Sequence, residues 1–132
     1  MVPFMKFEHF ALNVSSPIEW SQWYADNLGL EIVRSMDQAP FTHFLRDSSG
    51  LMMVEVYNNP PESVPDYANM DPLIVHMAFV SEDMEKEKTA LLAAGATFES
   101  EVTTSVGDHL TMLRDPWGLA LQLCQRGKSM LK

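Results

Sequence analysis

The same order of strand and helix patterns occurs twice along this chain, and that internal repeat constrains the fold more than any other feature. An alternating strand, a helix and three further strands appear in the first half, and the same series returns in the second half. At the level of residues, the segment Arg-Asp-Ser-Ser-Gly-Leu at 46–51 corresponds to Arg-Asp-Pro-Trp-Gly-Leu at 114–119. The sequence therefore predicts two copies of one βαβββ module.

The predicted elements place module one at 5–59, a proline-rich linker at 58–72 and module two at 73–126. Strands are predicted at 7–14, 30–34, 42–46 and 51–57 in module one, and at 74–80, 97–102, 109–113 and 119–124 in module two. The first helix begins at a capping serine, Ser16, and ends at Gly29; the second spans 82–94. We expect a single α+β domain over residues 1–132, a curved, cupped mixed sheet with helices on its outer face.

Composition excludes several classes of partner. The chain carries 18 acidic and 9 basic residues, and its net charge of -9 would repel a nucleic-acid backbone. It contains no apolar run of about 18 residues and no signal-peptide pattern, so we expect a cytoplasmic protein without a membrane partner. The single cysteine, Cys124, lies in an apolar strand pattern and is expected to be a small buried side chain.

Four polar residues stand at equivalent points of the two modules. His9 and Glu55 are 46 positions apart (55 − 9), and so are His76 and Gln122 (122 − 76). Strand alternation places each of them opposite apolar neighbours, on the face that the helices do not cover. Small residues two positions away leave room for a ligand on this face: Ala11, Ala78 and Ala120. Two imidazoles, a carboxylate and an amide oxygen suit one divalent metal with open positions.

The segment 114–123, Arg-Asp-Pro-Trp-Gly-Leu-Ala-Leu-Gln-Leu, and the order His, Glu, His, Gln on four strands resemble the vicinal-oxygen-chelate superfamily, which includes glyoxalase I. The resemblance covers essentially the whole chain. Gln122 departs from the pattern, which usually has glutamate there. Asn59 matches an asparagine that contacts glutathione in glyoxalase I, whereas Asn13 stands where that family has an arginine. We expect Asn13, Met53 and Asn59 to contact the substrate.

The resemblance implies a metal-dependent lyase or isomerase like glyoxalase I. In that chemistry a divalent metal binds vicinal oxygens of a small-molecule substrate and stabilises an enediolate while a carboxylate moves a proton. Glu55 is the only carboxylate in the proposed ligand set and is the predicted catalytic residue. Zinc or nickel is favoured as the metal, and manganese or iron is also compatible. The resemblance also predicts a homodimer, with the site formed within one chain or shared between two.

Other functions in the same superfamily remain open at this point. A protein of the bleomycin-resistance type would hold a small molecule in the cup without catalysis. An extradiol-type dioxygenase would need a carboxylate at the position of Gln122, and an epimerase of the methylmalonyl-CoA type would have the Gln and Glu in the reverse order. The two remaining histidines, His43 and His109, are not equivalent under the repeat and are expected at the surface or in loops.

Overall fold

A computed structural model describes residues 3–131, so residues 1, 2 and 132 of the predicted domain lie outside the described part. The chain divides into two compact units between Pro65 and Asp66, called unit 1 and unit 2 below. Each unit contains one βαβββ module and one four-stranded mixed sheet, which confirms the α+β class and the predicted repeat. No helix within residues 3–131 has the length and apolar character needed to cross a bilayer.

Within residues 3–65, unit 1 contains one α-helix and four strands: β1 (His9–Asn13), α1 (Pro17–Leu28), β2 (Glu31–Ser35), β3 (His43–Arg46) and β4 (Met53–Tyr57). The strand order in the sheet is β1-β4-β3-β2. β1 runs parallel to β4, and the other neighbours are antiparallel. The first and last strands of the module are therefore adjacent, and this pairing brings the predicted ligands of unit 1 onto neighbouring strands.

Unit 2 repeats this arrangement with β5 (Met77–Val80), α2 (Met84–Ala93), β6 (Thr97–Thr103), β7 (His109–Arg114) and β8 (Ala120–Gln125). Its strand order is β5-β8-β7-β6, again with a parallel pair formed by the first and last strands. The predicted linker contains two short 3-10 turns, Pro61–Ser63 in unit 1 and Tyr67–Asn69 in unit 2. Its second half is thus an ordered part of unit 2.

The ends of α1 show which local signals fixed the helix. Gly29 ends it in a left-handed conformation at φ 73°, as predicted. Ser16 is the N-cap residue, as predicted, but its side chain makes no cap hydrogen bond. Its backbone carbonyl instead accepts from the Trp20 N–H at 2.8 Å, and Pro17 supplies a first-turn residue that has no N–H to satisfy. The fixed φ of proline is therefore the stronger start signal here.

Two aromatic side chains of α1 anchor the core of unit 1. Trp20 and Tyr24 are fully buried, with ring centroids 4.1 Å apart. Burying aromatic side chains of this size removes about 150–250 Å² from water, worth roughly 4–6 kcal/mol each relative to full exposure. They cover the sheet face that carries Leu12, Leu45 and Val56, all buried. The opposite sheet face, which carries His9 and Glu55, remains uncovered by the helix.

The expectation that His43 lies at the surface was wrong. His43 begins β3, pairs in register with Val56 and is only 5% exposed. Its Nδ1 lies 2.8 Å from the carbonyl oxygen of Phe41, which satisfies one polar atom of the ring within the core. His109 is also in a strand, at the start of β7, although its side chain is 29% exposed. Neither lies in a loop, because β3 and β7 both begin at these histidines.

A cluster of polar side chains joins α2 to the sheet of unit 2. One oxygen of Glu101 on β6 accepts from the Thr111 hydroxyl at 2.8 Å and the Lys88 ammonium at 3.2 Å, and lies 3.1 Å from Nε2 of His109. The Thr111 hydroxyl, followed by Lys88, holds the pKa of Glu101 below its ordinary value of 4.5. The ionised form of Glu101 therefore stabilises the folded state more than the protonated form does.

Glu101→Gln is expected to lower the free energy of unfolding at neutral pH, with a difference from wild type that shrinks in acid. Since the folded-state pKa is the lower one, this carboxylate contributes stability above pH 4.5, and the contribution is lost as pH falls through the folded-state value. Urea unfolding across this range measures the difference, with Glu85→Gln, which touches only Lys88 of the cluster, as the control. A difference that stays constant at all pH values would contradict the assignment.

Candidate functional site

His9 and Glu55 lie together on the uncovered face of the unit 1 sheet. Glu55 pairs in register with Ala11, two positions beyond His9 on the neighbouring parallel strand. Nε2 of His9 is 3.4 Å from Oε1 of Glu55, and the two side chains are 34% and 19% exposed. The structure thus brings together the two ligands predicted in module one, in a partly shielded position.

The other ring nitrogen of His9 is held by a residue that the sequence did not single out. Nδ1 lies 2.8 Å from a carboxylate oxygen of Glu8. The imidazole and the Phe44 ring form a T-shaped contact, with an interplanar angle of 90° and centroids 5.5 Å apart. Strand alternation assigns Glu8 to the opposite face from His9, so periodicity pointed away from this contact. Phe44 was detectable, because alternation along the predicted strand 42–46 places it on the opposite face from the apolar Leu45.

The geometry of the His9–Glu55 pair fits a divalent cation. A metal bound to a nitrogen and an oxygen at about 2.1 Å each, with a tetrahedral angle between the bonds, holds those atoms about 3.4 Å apart. The observed separation of His9 Nε2 and Glu55 Oε1 is 3.4 Å. In addition, a carboxylate on the second ring nitrogen is the arrangement that commonly orients a metal-binding histidine. The pair therefore has the atom spacing expected for two ligands of one metal ion, and Glu8 orients its histidine as such ligands are commonly oriented.

Unit 2 repeats the register of unit 1. Gln122 on β8 pairs with Ala78, two positions beyond His76, so the predicted ligands of module two have the same offset as those of module one. His76 immediately precedes β5 and is exposed, while Gln122 is half-buried. The Sγ–H of Cys124 donates to Oε1 of Gln122 at 3.4 Å. This contact engages the amide oxygen of Gln122, the atom that would serve as the predicted ligand.

The imidazole of His76 is oriented by the backbone. Its Nδ1 lies 2.8 Å from the carbonyl oxygen of Pro72. Because a carbonyl oxygen only accepts, this contact is a hydrogen bond when Nδ1 carries a proton, and in the neutral ring of that tautomer Nε2 keeps its lone pair. Both histidines of the predicted set thus use Nδ1 for an oxygen of the protein, so that Nε2 is the ring nitrogen not used in these contacts. The two modules reach the same result with different partners, a carboxylate in unit 1 and a carbonyl in unit 2.

Cys124 behaves as predicted, as a small buried residue. It is 5% exposed, and burial raises the pKa of its thiol. A neutral thiol is a weak hydrogen-bond donor, which suits the contact with Gln122. Its raised pKa makes it a poor nucleophile near neutral pH.

The three residues predicted to contact the substrate differ in burial and in hydrogen bonding within unit 1. Met53 is half-buried and pairs in register with His9, which places it on the face of the candidate ligands. Asn13 donates through Nδ2 to the Pro60 carbonyl at 2.9 Å and accepts from the Asn59 N–H at 2.8 Å. Asn59 itself is exposed. The side chain of Asn13 therefore holds the loop in which Asn59 stands.

A cavity of about 670 Å³ lies on unit 2. One wall is formed by residues 68–73, and the other by the side chains of Glu99, Ser100, Met112 and Arg114. Met112 pairs in register with Gln122, so the cavity opens on the same sheet face as that predicted ligand. It is an open surface depression and not an enclosed cleft, although its volume falls within the range of about 300–1,000 Å³ of small-molecule sites.

The donor sets of the two units are each incomplete. Within residues 3–131, no group of three or more His, Cys, Asp and Glu side chains is arranged to hold a metal ion. Unit 1 supplies an imidazole and a carboxylate, and unit 2 supplies an imidazole and an amide oxygen. A protein site for a borderline divalent metal usually has three or four protein ligands. We therefore treat the His9–Glu55 pair and the His76–Gln122 pair as two half-sites.

Comparisons with known proteins agree with this architecture. The solved structures that resemble the chain include an antibiotic binding protein from Streptomyces sp. (14% identity, TM-score 0.73, covering 96% of this chain and 99% of that one). A glyoxalase family protein from Enterococcus faecalis has 24% identity and a TM-score of 0.70, covering 92% and 98%. A lactoylglutathione lyase from Agrobacterium tumefaciens has 20% identity and a TM-score of 0.69, covering 94% and 96%. At these identities the likeness concerns the fold.

No curated protein matches the sequence. A family profile, in contrast, matches residues 6–123, which include all four predicted ligands and most of both βαβββ modules. The chain belongs to the Glyoxalase/Bleomycin resistance protein/Dioxygenase superfamily.

Proposed function

We propose that this protein is a metal-dependent lyase or isomerase of the glyoxalase type, in which His9, Glu55, His76 and Gln122 hold one divalent metal. The superfamily typically binds such a metal. The strongest support comes from unit 1, where His9 Nε2 and Glu55 Oε1 are 3.4 Å apart and Nδ1 is fixed by Glu8. In unit 2 the same register and the same orientation of the histidine ring recur.

The chemistry divides between the metal and the side chains. When bound, a divalent metal supplies a Lewis acid for two neighbouring oxygens of the substrate. Glu55 is the only carboxylate of the set, so we assign to it the transfer of the substrate proton. Its position beside Phe44, with a side chain 19% exposed, limits the access of water to the carboxylate. Zinc or nickel suits two imidazoles with two oxygens, and manganese or iron is compatible.

Substrate contacts are proposed on the same face. Met53 offers an adaptable apolar surface beside His9. Asn59 offers an exposed amide, on a loop that Asn13 holds through its side chain. We therefore assign Met53 and Asn59 to direct contact and Asn13 to the support of Asn59.

Elemental analysis of protein purified without added metal tests the proposal. We expect bound divalent metal, and metal-dependent turnover of hemithioacetals formed from a 2-oxoaldehyde and a thiol. Hemithioacetals of glutathione and of 2-mercaptoethanol should be compared, because Asn13 stands where glyoxalase I has an arginine. Protein that neither contains nor takes up a divalent metal would refute the proposal.

A second candidate is a small-molecule binding protein without catalysis. The cavity of about 670 Å³ on unit 2 favours it, since its walls combine Met70 and Met112 with polar groups. An antibiotic binding protein is also among the structures with the same fold. Tight binding of a small molecule that is unchanged by a chelator, together with absence of metal, would support this candidate over the lyase.

We also propose that the protein is a homodimer. Superfamily members often form dimers. β2 and β6 each end a sheet in the strand order, and every residue of β6 is exposed. Unpaired edges of this kind favour association with a second copy. Sedimentation equilibrium measures the mass directly, and a monomer at all protein concentrations would refute the proposal.

A further inference from the structure

Residues 66–72, here called the strap, are fastened to unit 2 by one arginine. Nη1 of Arg114 on β7 donates to the carbonyl of Tyr67 at 2.9 Å, and Nη2 donates to the carbonyl of Met70 at 2.9 Å. The same guanidinium also bonds to the Gly118 carbonyl and to both oxygens of Glu99. The Arg114 side chain is only 13% exposed. Its planar fork therefore holds the strap in one geometry, which a single ammonium group would not reproduce.

A close backbone approach adds to this attachment. Gly118, in the turn after β7, has φ +90°, and a Cβ built there would lie 2.6–2.7 Å from atoms of Ala68. Real Cβ atoms do not come so close, so only glycine lets the strap lie directly on the turn. The strap is thus fixed from two sides, by Arg114 and by the turn.

The far end of the strap reaches His76. Asp71 shapes the chain that joins them, because its Oδ1 accepts from the Leu73 N–H at 2.9 Å and its backbone carbonyl accepts from the Ile74 N–H at 2.9 Å. The next carbonyl, that of Pro72, accepts from Nδ1 of His76 at 2.8 Å. The orientation of the His76 ring therefore depends on where the strap places the Pro72 carbonyl.

We propose that Arg114 is a positioning residue for His76, acting through the strap and the Pro72 carbonyl to keep the proton on Nδ1 and present Nε2. For the metal, the inference rests on the proposed function; for the tautomer of His76, it stands independently. A backbone carbonyl on the second ring nitrogen is a common support of a metal-binding histidine. Here the support is remote, because the residue that fixes the carbonyl lies on β7 and does not touch the ring in any hydrogen bond that the structure records.

Unit 1 provides a matched control for this inference. Arg46 is 15 residues after Glu31, and Arg114 is 15 residues after Glu99, and each arginine binds both oxygens of its glutamate. Among the described hydrogen bonds, Arg46 holds no backbone carbonyl. His9 receives its support from the adjacent Glu8 instead. Each arginine therefore forms an equivalent ion pair with its own glutamate, but only Arg114 also binds the carbonyl groups of the strap.

The experiment compares Arg114→Lys with Arg46→Lys in the full chain. The first readout is the tautomer of His76 in metal-free protein, from long-range ¹⁵N–¹H correlation NMR of the imidazole. The second is the dissociation constant for zinc. We expect Arg114→Lys to shift His76 toward the Nε2–H tautomer and to weaken zinc binding by about 10–100-fold, as loss of such a support does. Arg46→Lys should leave both readouts unchanged.

Because Arg114 is largely buried, Asp71→Ala gives a second test that keeps the guanidinium in place. Asp71 is an exposed residue of the strap and holds the turn that leads to His76, so the same shift of tautomer is expected in a folded protein. If His76 keeps the proton on Nδ1 in both variants, the inference is overturned. If the tautomer responds but wild type binds no zinc, the positioning role stands and the proposed metal function fails.

Discussion

Replacing His9 or His76 with alanine is expected to lower the affinity for a divalent metal by at least about 100-fold, because loss of a direct ligand should exceed the 10–100-fold effect of losing its outer partner. His9 is 34% exposed and His76 is exposed, so both substitutions should leave the secondary structure intact. Isothermal titration with zinc measures the affinity, and circular dichroism of the metal-free protein checks the fold.

His109→Ala is the matched control for these variants. His109 is exposed to a similar extent, 29%, but it lies beside Glu101 in the cluster that joins α2 to the sheet. We expect normal metal affinity in this variant. If His9→Ala and His76→Ala instead lost secondary structure without any change specific to the metal, the two histidines would be structural residues.

The same two variants identify which chains supply a complete site. In a homodimer with shared sites, a mixed dimer of one His9→Ala chain and one His76→Ala chain carries both changes at one site and neither at the other. Half of the sites in mixed dimers should then bind metal normally. If verified mixed dimers never recover metal binding, the two half-sites of one site come from the same chain.

Glu55→Gln is expected to reduce turnover by about 100–10,000-fold at saturating metal, which is the usual contribution of a positioned proton-transfer group. The amide keeps the size of the side chain and an oxygen for the metal but can no longer take up a proton. The decisive measurement is kcat with hemithioacetal substrates at metal concentrations that saturate the variant, since weaker metal binding alone would otherwise lower the rate.

Gln122→Glu is the comparison for this substitution. It adds a carboxylate at the equivalent position of unit 2 and should strengthen metal binding through the added charge, with turnover retained. A Glu55→Gln variant that turns over at the wild-type rate would exclude Glu55 as the base. If the wild type were inactive and Gln122→Glu made it active, the natural protein would lack the catalytic carboxylate. It would then be a binding protein.

The fold could be predicted from the sequence because its evidence is local and repeated. Strand alternation gives the face of each residue whatever the chain does elsewhere, and the 46-residue spacing of His9 with Glu55 recurs in His76 with Gln122. The register of the parallel pairs then placed each acid or amide two positions beyond its histidine on the neighbouring strand. Element ends were less accurate, as with β5, which begins at Met77 and not at residue 74, since the ends of elements are weakly determined by local sequence.

The sequence by itself therefore determined the two modules and the face on which the candidate ligands stand. Tertiary structure alone decided what surrounds them. The burial of His43 follows from the packing of α1 over β3, which no local pattern encodes. The contact of Glu8 with His9 forms at the residue just before β1, where strand alternation no longer fixes the face of a side chain. The support of His76 requires Arg114, 38 residues away (114 − 76), to hold a proline-rich segment that reads as a linker. Every residue has a backbone carbonyl, so the residue type does not show which carbonyl will accept a hydrogen bond from a given side chain. Such partners are identified only in the folded structure.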